Sequence, residues 1–216
     1  FKFELELVVD DNCEVCPVAV EATAEIVAKH RNVTARFYNA SYVEPPFEID
    51  ATPAFRINKK VMFTGIPTDS IGAYLSEKFR DAYLQTHPKL EWLLTRLKSF
   101  GERHGYRRNP NDTAFADIIS KLLANIDAYG YPFCPCRPLK NVEGATAEQI
   151  LEMNQDKVCP CPYVHTDIEK LGQCLCGLFW KEEKFREYIR RRAKEYAWVI
   201  NEITEIQKEL EELKTR

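Results

Sequence analysis

The sequence predicts a two-domain chain of the α+β/α/β kind: a short βαβββα module over residues 1–87, then a mostly α-helical domain over residues 88–216 that ends in a long helix. Three observations predict it. Strand patterns and turn residues crowd the stretch before His87-Pro88 and fade beyond it. Apolar residues after that point recur at helical spacing. From Lys181 to the end there is neither glycine nor proline, the residues that stop helices.

Taken in order, Phe1, Phe3, Leu5, Leu7 and Val9 alternate with Lys2, Glu4 and Glu6, the period-two pattern of a half-buried strand. Asp10 to Asn12 turns the chain, and Pro17 to His30 reads as a helix with Pro17 in the first turn, where a missing N–H costs little. Val33 to Tyr38 is a second strand. After Pro45 and Pro46 come Thr52-Pro53 and two short strands, Ala54 to Ile57 and Lys60 to Phe63, joined by a tight turn near Asn58. Gly65 and Pro67 end the sheet, and Thr68 or Asp69 caps a helix running to about Gln85. In the second domain Leu90, Leu93, Leu94 and Leu97 form one helical face. Phe115, Ile118, Ile119, Leu122, Leu123 and Ile126 form another within Thr113 to Ala128, capped at Asn111-Asp112-Thr113. Thr146 to Asn154 and Thr166 to Leu171 read as shorter helices. In the long final helix Val199, Ile203, Ile206, Leu210 and Leu213 alternate steps of four and three; packing on the protein's own body explains them first, a homodimer contact through this helix second.

With 216 residues, 45% hydrophobic and 29% charged, the chain has the profile of a folded globular protein. A formal charge of -3 and a pI near 5.9 give no overall pull towards nucleic acid. No apolar run approaches the roughly 20 residues that cross a bilayer, and the opening strand pattern is not a signal-peptide core, so a cytoplasmic protein without membrane partners is expected. Because the chain opens on Phe1 and not on methionine, sequence upstream of it and a removed targeting segment stay open.

All 8 cysteines fall in close pairs. Cys13-Glu14-Val15-Cys16 stands alone near the start; Cys134-Pro135-Cys136, Cys159-Pro160-Cys161 and Cys174-Leu175-Cys176 share one later stretch. A secreted disulfide scaffold is disfavoured by chain length, by the lack of a secretion signal and by the expectation that side chains within a Cys-x-Cys unit point apart. Structural zinc favours Cys-x2-Cys knuckles and uses four ligands, fewer than the three later pairs offer. Sulfur chemistry alone leaves zinc and iron–sulfur both open.

The first half, with Cys13-x-x-Cys16 between the first strand and first helix and Thr52-Pro53 before the third strand, resembles the thioredoxin/glutaredoxin superfamily. That resemblance implies a cis Thr52-Pro53 bond facing a redox dithiol. Cys13 would be the outer nucleophile, its pKa lowered by the helix N-terminus, with Cys16 resolving and Glu14 working against the thiolate. The later stretch, two Cys-Pro-Cys units and a Cys-x-Cys followed by Gly177-Leu178-Phe179, resembles the catalytic (beta) subunit of ferredoxin:thioredoxin reductase over roughly Phe100 to Tyr188. The resemblance implies a [4Fe-4S] cluster held by Cys134, Cys159, Cys161 and Cys174, with a redox-active disulfide between Cys136 and Cys176. Cys136 would attack the substrate disulfide.

Ferredoxin would donate electrons, and a thioredoxin-like or other disulfide protein would accept them, here first the fused Cys13–Cys16 module. Where that family has histidine between the last two cysteines this chain has Leu175. His165, in the segment between the second and third pairs, is the candidate replacement, and His104 a weaker one. Arg103, Arg107, Arg108, Arg137, Lys140 and Arg190 to Arg192 are candidates for steering an acidic ferredoxin. The alternative function is a non-catalytic iron–sulfur electron-transfer adaptor or redox sensor.

Overall fold

The computed structural model describes residues 2–65, 71–140 and 144–214, with side chains through 197 and at 205. It divides into two compact units, Phe1–Leu97 with Ala116–Cys161, and Lys98–Phe115 with Pro162–Arg216.

In the first unit, β1 (Phe3–Val9), α1 (Cys16–Lys29), β2 (Val33–Asn39), β3 (Ala54–Ile57), β4 (Lys60–Thr64) and α2 (Ile71–Thr86) follow the expected order. The sheet runs β2-β1-β3-β4, with β1 and β2 parallel and the other pairs antiparallel. The parallel pair needs a crossover, and α1 supplies it. Phe3, Leu5 and Leu7 are buried, as period-two alternation requires, and the Phe3 ring lies 5.8 Å from Phe79 and 5.6 Å from Tyr83 on α2. Glu6, between those positions, is buried too, because Arg56 on the neighbouring strand pairs with it at 2.5 Å and holds its carboxyl below the usual range. The turn near Asn58 is present, with Asn58 and Lys59 in the left-handed region. The Thr52-Pro53 bond is cis. Thr68, Asp69 and Pro67 lie outside the described residues.

The same unit continues into α3 (Leu90–His104) and most of α4 (Asp112–Tyr129). Ile118, Ile119, Leu122 and Leu123 are buried, the face marked by helical spacing, and Asn111 Oδ1 accepts from the Ala114 N–H at 3.0 Å as the cap. Polar contacts join α2 to α4. Arg80 pairs with Asp117 at 2.9 Å, and Asp127 accepts from the Tyr83 hydroxyl at 2.5 Å and meets His87 Nε2 at 3.2 Å. Arg31, just past α1, lies over the Tyr129 ring at 5.8 Å. His87-Pro88, read from sequence as a boundary, is therefore well packed: His87 is buried, and its Nδ1 accepts from the Lys89 N–H. The α5 helix (Ala147–Met153) starts at a capping box between Thr146 and Gln149.

The second unit contains a ladder that no sequence pattern announced. The β5 strand (Arg107–Arg108) pairs antiparallel with β6 (Phe179–Trp180); strands of two residues carry no readable period. The α6 helix (Val164–Leu171) begins earlier than the sequence suggests and ends at left-handed Gly172. The α7 helix (Glu182–Lys214) is the long final helix. Side chains at Val199, Ile203, Ile206, Leu210 and Leu213 lie outside the described residues. Among the described residues no helix is long and apolar enough to cross a membrane.

Candidate redox and metal centre

At the start of α1 the Cys13 and Cys16 sulfurs form a disulfide. Cys16 is buried at the helix start and Cys13 is half-buried, the outer of the two. Two carboxylates brace the approach to Cys13. Asp10 accepts from the Thr52 hydroxyl, beside the cis bond, and from the Asn12 N–H at 2.7 Å. Asp11 accepts from the Tyr42 hydroxyl at 2.5 Å and from Asn39 at 2.8 Å, contacts that hold its pKa below the ordinary carboxylate value.

Further along the first unit, the two Cys-Pro-Cys segments are zipped together. Phe133 and Val158 form an antiparallel bridge, the Cys134 N–H donates to Lys157 O at 2.7 Å, and the Cys159 N–H donates to Pro132 O at 2.8 Å. The Cys159-Pro160 bond is cis. This pairing brings Cys134, Cys159 and Cys161 to one buried location, although 25 residues separate Cys134 from Cys159 along the chain. Cys161 has its pKa pushed up, first by its hydrogen bond with Cys134 and then by burial, while Arg137 hydrogen-bonds to it and pulls the other way. Arg137 therefore faces the sulfur site, and its sequence role as a docking charge gives way to that contact.

In the second unit, Cys174 and Cys176 sit on a turn closed by the Gly177 N–H donating to Cys174 O at 2.7 Å, with Gly177 at φ 76° where a side chain would be strained. Cys174 is buried, and its sulfur accepts the Phe179 N–H at 3.2 Å. Buried Asn109 fixes the turn from behind: its amide donates to Gly177 O at 2.9 Å, and its N–H donates to Leu178 O at 2.9 Å. Leu175 is exposed, and its N–H donates to Asp167 at 3.2 Å.

Within two of the three Cys-x-Cys pairs the expectation of diverging side chains fails. Cys134 and Cys136 have sulfurs 3.0 Å apart, and Cys174 and Cys176 3.5 Å apart. Both pairs lie on β-turns, closed from residue four to residue one, so the chain reverses there and the alternation of an extended strand does not apply. His165 belongs to the first turn of α6. Its Nδ1 lies 2.7 Å from the Tyr106 hydroxyl, in a ring cluster with Phe100 and His104. Sequence reasoning missed Tyr106, Asn109 and Asp167; no motif spacing marks them, because each acts through tertiary contact.

The donor set fits an iron–sulfur group. Four of the six later cysteines are buried, and a backbone N–H already aims at the Cys174 sulfur, as cluster sulfurs require. Such a set defines a thiol-based oxidoreductase centre. A scan of protein families matches residues 85–212, more than half of the chain, to the ferredoxin thioredoxin reductase catalytic beta chain, and the chain belongs to that family. It is an oxidoreductase whose cofactor is a [4Fe-4S] cluster. A search of the curated proteins finds no match.

Proposed function

We propose that this chain is a ferredoxin-dependent disulfide reductase. Cys134, Cys159, Cys161 and Cys174 hold the cluster, Cys136 and Cys176 are the redox-active pair, and a thioredoxin-like N-terminal dithiol, Cys13 with Cys16, is the outlet for electrons. The observation that carries this reading is a division by burial. The four proposed ligands are 3%, 3%, 6% and 4% exposed, whereas Cys136 and Cys176 are half-buried. Ligands need a water-poor shell, and an attacking thiol needs access. The thioredoxin-like reading of the first half rests on its element order, the cis Thr52-Pro53 bond and the disulfide at the head of α1.

When bound, the cluster supplies a centre that takes electrons one at a time, which a disulfide needing two cannot do alone. Cys136 then attacks a substrate sulfur, the substrate's other sulfur leaves as a thiolate, and Cys176 resolves the mixed disulfide. The Cys-x-Cys turns hold these sulfurs ready, and Arg137 supports Cys161 from the same segment. His165, steadied by Tyr106, is the imidazole proposed to move the proton that Leu175 cannot. Ferredoxin is the donor, and protein or small-molecule disulfides are the final acceptors.

The test is iron and acid-labile sulfide analysis beside thiol titration, on anaerobically purified protein before and after reduction by ferredoxin. Wild type should gain thiols equivalent to two disulfides. Cys161→Ser should lose the iron, and Cys136→Ser should keep iron yet gain no thiols. A wild-type chain that holds iron and passes electrons without gaining thiols refutes the reductase and leaves the adaptor.

A further inference from the structure

The redox disulfide and the Cys134-Pro135-Cys136 loop lie at opposite ends of α1, within one compact unit. A cleft of about 710 Å³ separates the loop from the N-terminal helices. Cys134, Pro135 and Arg137 line one side, and Ile26, His30 and Phe79 line the other. Ile26 and His30 belong to the C-terminal end of α1, whereas Cys16 begins it. At about 1.5 Å per residue, they stand roughly 15–20 Å beyond Cys16 along the helix axis. The α2 helix runs alongside in the same direction: Gly72 lies against Val18 and Ala22, and the Phe79 ring lies 5.0 Å from His30. The halves of both helices that face Cys134 are therefore those far from Cys13 and Cys16.

Thiol–disulfide exchange requires sulfur-to-sulfur contact, so a chain in this arrangement cannot pass electrons from its own Cys136 to its own Cys13. The arrangement is anchored. Asp127 meets buried Tyr83 and buried His87, and Arg80 pairs with Asp117. Swinging the N-terminal module round would break all of these contacts together.

Building on the outlet role assigned above, we infer that the Cys13–Cys16 disulfide is served in trans, by Cys136 of a second copy of this chain. Charge favours that partner. No lysine or arginine occurs between Lys2 and Lys29 or between Arg36 and Arg56; the first of these stretches carries Asp10, Asp11 and Glu14 beside the disulfide, and the second carries Glu44, Glu48 and Asp50. The two stretches meet at Asp10 and Asp11, where Tyr42 reaches Asp11 and Thr52 reaches Asp10. The Cys136 segment carries exposed Lys140, and Lys157 reaches Pro138 O at 2.7 Å, so the second copy offers a basic rim to an acidic one.

The exchange balances without another reagent. The Cys136 thiolate of one copy attacks the Cys13 sulfur of the other; the Cys136–Cys13 bond forms as the Cys13–Cys16 bond breaks, and Cys16 leaves as a thiolate that takes a proton. Cys176 of the first copy then attacks Cys136 and releases the Cys13 thiolate. One dithiol becomes a disulfide, and one disulfide becomes a dithiol.

The experiment uses cluster-loaded protein with methyl viologen radical as electron donor, and reads the Cys13 and Cys16 thiols by maleimide mass-tagging. A donor chain carrying Cys13→Ser and Cys16→Ser is mixed with an acceptor chain carrying Cys136→Ser, and wild type is followed over a tenfold range of concentration. The acceptor should be reduced in the mixture and stay oxidised alone, and the wild-type rate per chain should rise about tenfold across the range. A per-chain rate independent of concentration, with an unreduced acceptor in the mixture, overturns service in trans and leaves the outlet role standing. If Cys13–Cys16 stays oxidised at every concentration while dithiobis(nitrobenzoate) is reduced, the outlet role itself is wrong, and service in trans falls with it.

Discussion

Asp127→Ala tests how firmly the N-terminal helices are anchored to α4. The carboxylate accepts from Tyr83, which is 0% exposed, and meets His87, which is 5% exposed. His87 Nδ1 accepts from the Lys89 N–H, so its Nε2 carries the proton and donates to Asp127. Alanine takes this acceptor from two buried donors at once. Each such loss costs about 1–3 kcal/mol, and partial exposure of Asp127 lets water recover some of it, so the net expectation is about 2–4 kcal/mol. For a chain of this length that lowers the melting temperature by about 4–15 °C. Tyr83→Phe removes one donor and leaves Asp127 its contact with His87, so about 1 kcal/mol is expected. Urea unfolding followed by circular dichroism on cluster-loaded protein gives both numbers, and the double variant gives the coupling between the two residues. A loss below about 0.5 kcal/mol for Asp127→Ala, the range of an ordinary surface change, would refute the anchor.

Arg137→Met keeps the side chain's bulk but removes the hydrogen bond to Cys161, a proposed cluster ligand, and hydrogen bonds to ligand sulfur raise a cluster's reduction potential. The variant's midpoint potential, from a titration followed by electron paramagnetic resonance, should fall; an unchanged potential means that Arg137 does not tune the site. Burial is the largest influence on both His30 and His87 and lowers their pKa values below the ordinary imidazole value of 6.5. Below that value the unfolded chain binds protons that the folded chain refuses, so stability is full above it and declines as pH falls from about 6.5 towards the folded values. Urea midpoints at pH 7.5 and 5.5 check the sign, and equal midpoints would show that neither imidazole is held neutral.

Strand β1 was legible because its apolar residues alternate, and α4 because its apolar residues recur every three or four positions; both patterns are local. Cys13 to Cys16, Thr52-Pro53 and the three Cys-x-Cys pairs were legible as motifs for the same reason. The β5–β6 ladder was not, since two residues cannot display a period, and nothing in the spacing of Arg107 and Arg108 separates a strand edge from a charged patch. The structure gives both an ion-paired role, Arg107 with Glu182 and Arg108 with Asp112. Glu6 looked like a solvent-facing strand residue until Arg56, 50 positions away, was found beside it.

The sequence by itself determined the kind of chemistry: eight cysteines in four close pairs, of types and spacings that sulfur redox and iron–sulfur ligation require. It determined the elements as well, because hydrophobic period is written residue by residue. Only the tertiary structure decided which sulfurs are buried and which are open, that paired sulfurs converge on turns, and that Arg137 turns towards Cys161. It alone decided that Asp127 clamps Tyr83 and His87 and so holds the disulfide end of α1 away from the Cys136 loop. Burial, hydrogen-bond partner and distance belong to pairs of residues remote in the chain, and a linear pattern carries no term for such pairs.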